Sequence, residues 1–360
     1  MNKTSMEKIG YNEFYKDEFK EIVARESGMI PGRVSAVHRE RYQVITEHGE
    51  SWATLKGSIF YNSPESVIYP TTGDFVAVRH NPVGEDIIYK VLKRKSEFSR
   101  MDSFNRNKQV VAANFDYVLI LSSMNKDFNI KRLDRYIVSA WESGAEPLVV
   151  LTKSDISDDF SMYVDAIESN SPGVKVFPVS SITGAGIEAL KDYLKSESTL
   201  VLLGSSGVGK SSLVNALAES EVMKVNTIRE NDAKGKHTTT HRQLIVLDDG
   251  TMVIDTPGMR ELELWSADSG MEEAFHDIAA IADRCRFRDC SHNDEPGCAI
   301  RYALKSGELA NSRWNNYLKL KKESEYARAK EEKSARVQKK AQEKKFGKMQ
   351  KDFKKSKKTY

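Results

Sequence analysis

Apolar positions change their spacing several times along this chain, and each change predicts a different kind of element. The first thirty residues are polar and mixed in charge, and they fit a short helix or an adaptable arm equally well. From Gly32 to about Lys95 come short alternating runs, RVSAVHR, YQVITEH, SWATLKGSI, DFVAVRH and DIIYKVLKR, parted by turn-forming EHGE, PTTGD and NPVGED. Five short strands in so little chain predict a small closed barrel, because a sheet this size is stable only when its edges are paired. The oligonucleotide-binding barrel has that strand count, and so do barrels with a purely structural role. A polar connector follows from Arg94 to Asn114. Beyond it, near-continuous apolar runs (FDYVLILSS, EPLVVLTKSD, VKVFPVSS, TLVLLG) alternate with helical stretches such as KRLDRYIVSAWESG, GAGIEALKDYL and SSLVNALA. Strands apolar on both faces, separated by helices, predict a mostly parallel sheet covered on both sides. RQLIVLDDG and TMVIDTPG add a strand pair, and from SGMEEAFHDIAAIAD onward the pattern is helical, interrupted by a cysteine-bearing loop.

Length and pattern together predict an arm (1–30), a barrel (31–95), an α/β domain (110–262), a helical domain holding the cysteines (263–320) and a tail (321–360). With 39% hydrophobic and 30% charged residues the chain reads as soluble and globular. It has no apolar run long enough for a membrane span and no hydrophobic signal core, so a cytoplasmic monomer is expected. The formal charge of +3 conceals an asymmetry: residues 321–360 hold sixteen Lys or Arg against six Asp or Glu, a net of +10, which leaves −7 on the rest. A basic arm on an acidic body suits a polyanionic partner such as RNA or the ribosome; a solubilising helical tail is the plainer alternative.

The order of three motifs sharpens the α/β domain. GSSGVGKSS satisfies G-x-x-x-x-G-K-[ST] between a strand and an amphipathic helix, which makes Gly204, Ser205, Ser206, Gly207, Val208, Gly209, Lys210, Ser211 and Ser212 a phosphate cradle. Its backbone N–H groups and helix N-terminus face the phosphates, Lys210 reaches the β/γ oxygens, and the Ser211 hydroxyl sits on Mg²⁺. Asp255 opens DTPG 51 residues after Gly204, where a carboxylate can hold Mg²⁺ through water and the Gly258 N–H can sense a γ-phosphate. Thr152-Lys153-Ser154-Asp155 resembles the guanine-reading N-K-x-D element, with threonine in place of asparagine. Asp155 can accept from N1 and N2 of guanine, Lys153 can cover the base, and Ser180 with Ser181 can back it. This element precedes the phosphate loop, and no N/T-K-x-D follows Asp255. The economical reading is a circularly permuted P-loop GTPase core that binds GTP with Mg²⁺. Between loop and aspartate, GKHTTT (235–240) is placed as a mobile switch in which Thr238 and Thr239 both qualify as the Mg²⁺ threonine, Thr239 slightly preferred. Met259 stands where many GTPases carry a water-orienting glutamine, so slow intrinsic turnover completed by a partner is expected. His237 can orient the water if that segment folds over the nucleotide, and a solvent-facing histidine explains the residue equally well.

All three cysteines fall in C-x₄-C-x-H-x₅-C, formed by Cys285, Cys290, His292 and Cys298. Three thiolates and one imidazole within fourteen residues predict a closed tetrahedral, structural zinc site, and the clustering argues against disulfides.

With barrel, TKSD, GSSGVGKSSLVNAL, GKHTTT, DTPGMREL and the Cys/His cluster in one chain, the sequence resembles the RsgA family of circularly permuted GTPases over nearly its whole length. The resemblance implies an oligonucleotide-binding N-terminal barrel, zinc on the four Cys/His residues, and ribosomal RNA contacts from both flanking domains. It further implies slow GTP hydrolysis stimulated by the small ribosomal subunit during its late maturation, with His237 in the catalytic switch and a hydrophobic residue at position 259. Two other readings stay open: a GTPase acting on another RNA or translation process, and a structural RNA-binding protein with a degenerate nucleotide site.

Overall fold

The computed structural model describes residues 5–39, 41–57, 68–101, 108–124, 128–156, 159–223, 242–255 and 267–356. Five strands close on themselves near the N-terminus: β1 (Ile30–His38), β2 (Arg41–Thr46), β3 (Gly49–Leu55), β4 (Phe75–Arg79) and β5 (Asp86–Val91). They pair in the circular order β1-β2-β3-β5-β4-β1, with β3–β5 the one parallel pair. Alternation puts Val34, Tyr42, Val44, Ala53, Val76, Val78, Ile88 and Val91 inside, which fills a barrel of this size with side chains. The arm is a docked helix, α1 (Glu13–Arg25), capped by Asn12, whose Oδ1 accepts from the Phe14 N–H at 3.1 Å. Tyr15 packs on Phe75 at 4.2 Å between ring centroids, and Glu18 accepts from Lys90 Nζ at 2.6 Å and from the Lys93 N–H at 2.7 Å.

The stretch read as a polar connector carries a two-stranded antiparallel sheet, β6 (Glu97–Met101) and β7 (Lys108–Ala113). Its polar residues masked the alternation, and Phe98, stacked on Phe115 at 4.9 Å, is its anchor. The α/β part follows as β8 (Tyr117–Ser123), α2 (Ile130–Glu142), β9 (Glu146–Thr152), α3 (Ser161–Asn170), β10 (Lys175–Val179), α4 (Ile187–Tyr193), β11 (Thr199–Leu203), α5 (Lys210–Ala218), β12 (Gln243–Val246) and β13 (Met252–Asp255). The strand order is β10-β9-β8-β11-β13-β12, parallel except for β12. Leu119, Leu121, Leu148, Val150 and Leu200 meet Ile187, Leu190, Leu213, Val214 and Leu217 of α4 and α5 on one face. Among the described residues the Ala36–Gln243 bridge joins β1 to β12, so barrel and parallel sheet are continuous.

The chain resolves into two compact units: Met1–Met101 with Lys108–Leu262, and Asp102–Asn107 with Glu263–Tyr360. In the second, α6 (Asp268–Ala274), α7 (His276–Ala282) and α8 (Ala299–Ser306) precede α9 (Asn311–Ser356), which runs unbroken through residue 320 for about 70 Å at 1.5 Å per residue. Buried Arg313 roots α9 by donating to both Asp277 oxygens, at 2.8 and 3.3 Å, and to the Ala274 carbonyl at 2.7 Å, with its guanidinium 4.2 Å from the Phe275 ring centre. Among the described residues no helix is long and apolar enough to cross a membrane.

Candidate functional site

The motifs that are out of order along the chain converge at one edge of the parallel sheet. Thr152 ends β9 opposite Val179 of β10 and Ser123 of β8; Leu203 of β11 lies opposite Ile120 of β8. Asp255 ends β13, the neighbour of β11. Because these strands run parallel, the TKSD turn, the Ser180–Ser181 turn, the glycine-rich loop and Asp255 all leave the sheet at its carboxyl edge, where open α/β sheets hold their ligands.

The glycine-rich loop is shaped by backbone that side chains would obstruct. Gly204 has φ +150°, and a Cβ there would lie 2.7 Å from the Leu121 carbonyl oxygen. Gly209, φ +106°, caps α5, whose first residue is Lys210. Lys210 Nζ donates to the Gly204 and Ser205 carbonyls at 2.7 and 2.8 Å, which holds the ammonium over the loop. Ser206 and Gly207 are exposed, and Ser205, Gly209, Ser211 and Ser212 are half-buried. The Val208 side chain belongs to the core, so only its backbone is available to a ligand.

Thr152 stands where the N-K-x-D element has its asparagine. Its hydroxyl is buried and donates to the Val208 carbonyl at 2.7 Å, with the Ser122 carbonyl at 3.4 Å. One hydroxyl thus ties the base-side turn to the phosphate loop across 56 residues of chain. Lys153 follows with φ +63°, a left-handed conformation uncommon for a lysine, which turns the chain sharply after β9. Exposed Asp155 is oriented from behind: its Oδ1 accepts from buried Ser180 Oγ at 2.6 Å, and that hydroxyl also accepts from the Ile182 and Thr183 N–H groups at 3.3 and 3.2 Å. Ser181 stands half-buried beside it. His237, Thr238, Thr239, Gly258 and Met259 lie outside the described residues.

In the second unit the four predicted ligands come together, with all ligand atoms within 4.8 Å of one another. His292 Nδ1 lies 3.6 Å from both Cys285 Sγ and Cys298 Sγ. Zn–S and Zn–N bonds of about 2.3 and 2.0–2.1 Å at a tetrahedral angle place sulfur and nitrogen about 3.6 Å apart, so the residues fit a zinc ion bound through Nδ1. Local backbone builds this geometry. His292 has φ +62°, and Glu295 braces the loop by accepting from the Ser291 hydroxyl, the Ser291 N–H at 2.9 Å and the Asn293 N–H at 3.1 Å. Those donors hold the Glu295 carboxyl down at about 2. Cys298 caps α8, and the Ala299 N–H donates to Cys285 Sγ at 3.3 Å. Burial works to raise the Cys285 thiol, but the Ala299 and Ile300 amides and the neighbouring thiols outweigh it and hold it below its ordinary value, which favours a thiolate ligand. The Trp314 ring meets His292 edge-on at 5.8 Å.

Glu295 and Trp314 carry no motif of their own, yet Glu295 braces the Cys/His loop and Trp314 packs on its histidine. Glu295 lies close in sequence to the amides it gathers, but its type and spacing carry no specific turn signature. Trp314 and His292 lie far apart in the chain, so no local signal marks the tryptophan.

Residues 91–265 match the RsgA GTPase family. The chain is 47% identical over 321 residues, 89% of its own length and 90% of the relative's, to a Listeria monocytogenes protein named small ribosomal subunit biogenesis GTPase RsgA 1. It is 39% identical over 343 residues, 94% of this chain and 91% of the relative, to the Streptomyces coelicolor protein named small ribosomal subunit biogenesis GTPase RsgA. Its fold is similar to the crystal structure of YjeQ from Thermotoga maritima, with TM-score 0.61, 31% identity and coverage of 81% of this chain and 97% of that one. It is also similar to YloQ, described as a circularly permuted GTPase, with TM-score 0.59, 27% identity and coverage of 81% and 94%.

Proposed function

The chain belongs to the RsgA family of circularly permuted GTPases, and we propose that it is a slow GTP hydrolase whose nucleotide state governs its binding to the immature small ribosomal subunit. The observation that carries this reading is the shared edge of the sheet, where the Asp155 turn, the glycine-rich loop and Asp255 leave neighbouring strands and Thr152 bonds the TKSD turn to the loop. Asp155 accepts from N1 and N2 of guanine, contacts that adenine does not offer, and Ser180 prevents the carboxylate from turning away. The loop N–H groups and the α5 N-terminus carry the phosphate charge, and Lys210 exchanges its loop carbonyls for phosphate oxygens. Ser211 and Asp255 hold Mg²⁺, and Thr239 and His237 complete the hydrolytic machinery. Cys285, Cys290, His292 and Cys298 hold a structural zinc, which stands in for the core that a short loop cannot build. The barrel and the basic helix α9 supply the contacts to ribosomal RNA.

Sedimentation with purified small subunits in the presence of a non-hydrolysable GTP analogue, GDP or no nucleotide tests the proposal. Comigration favoured by the GTP analogue is expected. Equal comigration in all three conditions would overturn nucleotide control, and absence from the subunit fraction would direct the GTPase to another target.

A further inference from the structure

Arg33 projects from β1 of the barrel into the seam between barrel and parallel sheet, where it is 1% exposed. Its five N–H donors meet five acceptors. Nε donates to the Gly73 carbonyl at 3.3 Å, Nη1 to the Ile9 carbonyl at 2.6 Å and to Met252 Sδ at 3.0 Å, and Nη2 to the Asn114 carbonyl and Thr199 Oγ1, both at 2.9 Å. All five acceptors are neutral, and the Phe75 ring lies 4.8 Å from the guanidinium. Burial pushes its pKa down to about 10, which leaves the group charged at neutral pH. A buried cation whose hydrogen-bond acceptors are all neutral, with charged support only through the field of Asp116 and Asp74, is costly to place and depends on the geometry of every partner.

Two of those partners are not independent. Thr199 and Met252 are opposite one another in the first rung of the β11–β13 ladder. At the far end of the same two strands lie Gly204, which opens the phosphate loop, and Asp255. Asp255 is only three positions, about 10 Å, beyond Met252 along the strand. A displacement of the first rung along the strands therefore reaches Asp255 almost undiminished, because a close-packed sheet transmits strain. The barrel turn that receives Nε is equally constrained. Gly73 has φ +93°, and a Cβ there would lie 2.1 Å from the Ala113 carbonyl oxygen, so barrel and seam have little slack.

We propose that Arg33 is a positioning residue for the nucleotide site: from inside the barrel it holds the first rung of the β11–β13 ladder, fixes Asp255 against the phosphate loop, and makes metal-dependent guanine-nucleotide binding answer to how the barrel is seated. The inference rests on the reading of Asp255 and the loop as the Mg²⁺ and phosphate site.

The test is binding of a fluorescent non-hydrolysable GTP analogue, titrated with Mg²⁺, to the full-length wild type and to Arg33→Met, Arg33→Lys and Arg94→Met. Arg94 is the control. It ties the barrel turn through Asp74, both bonds at 2.8 Å, yet none of its bonds reaches β11 or β13. The Mg²⁺ midpoint is expected to rise about 2- to 30-fold in Arg33→Met, by less in Arg33→Lys, and not at all in Arg94→Met, although both methionine variants melt at lower temperature. Should Arg33→Met not fold, Arg33→Lys carries the comparison. A midpoint unchanged from wild type in folded Arg33 variants would reduce Arg33 to a purely structural rivet and overturn the inference. A wild type that binds no guanine nucleotide would instead overturn the functional reading on which it rests.

Discussion

Thr152→Val removes one hydroxyl and almost no volume, so it isolates the bond between the TKSD turn and the glycine-rich loop. In the native chain that hydroxyl donates to the Val208 carbonyl at 2.7 Å from a side chain that is 2% exposed. The valine leaves a buried carbonyl without this donor, a loss of about 1–3 kcal/mol. Part of that cost will appear as lower stability. The rest falls on nucleotide binding, because the bond braces the loop against the base-side turn and its absence lets the two move independently. If about 1–2 kcal/mol reaches the bound state, affinity for GDP drops roughly 5- to 30-fold. Thr152→Asn restores a donor through its amide and should return affinity to within about threefold of wild type, well inside 1 kcal/mol. Displacement of a fluorescent GDP measures both, with thermal melting of each apo variant alongside. Wild-type affinity in a folded Thr152→Val protein would refute the view that this hydroxyl joins base recognition to phosphate binding.

Three further perturbations act on guanine recognition, the metal cluster and the docked N-terminal helix. Asp155→Asn replaces an acceptor of the guanine N2 protons with a donor, so competition assays should show GDP binding weakened at least about tenfold and xanthosine diphosphate, which offers a carbonyl there, gaining. Unchanged guanine preference would remove Asp155 from base recognition. Zinc removal, or Cys298→Ser, should speed amide exchange across α8 and the 285–298 loop while leaving β8–β11 protected, and unchanged exchange after verified metal loss would refute a structural metal. Glu18 is held below its ordinary carboxyl range by the Lys90 ammonium and the Lys93 N–H, against the opposing effect of burial. A depressed carboxylate stabilises the native state above the unfolded value of about 4.3 and loses that contribution as pH falls through its native one. Protection of α1 amides, taken relative to their intrinsic exchange rates, should therefore fall on acidification, and Glu18→Gln should flatten that dependence; equal protection profiles would detach Glu18 from the docking of the helix.

Much of the fold was legible because its signals are local. Five alternating runs with turn residues between them announce the barrel, and apolar runs separated by helical patterns announce the parallel sheet. The glycine-rich loop and the Cys/His spacing likewise carry their chemistry in adjacent residues. What escaped was non-local. Thr152 reads as a deficient asparagine until Val208, 56 residues away, appears beside it. Arg33 sits in a strand where a charge suggests solvent, and only the arrival of residues 9, 73, 114, 199 and 252 makes burial possible. The β6–β7 pair escaped for a related reason: its residues are mostly polar, and pairing rather than hydrophobic alternation defines it.

A slow GTPase completed by the small ribosomal subunit must change its turnover when subunits are added. Phosphate release from GTP by the wild-type protein, measured alone and with increasing purified small subunits, reads that change. Slow turnover alone and a saturable rise with subunits are expected, with Lys210→Ala inactive in both conditions. Turnover that is the same with and without subunits would contradict completion by the subunit.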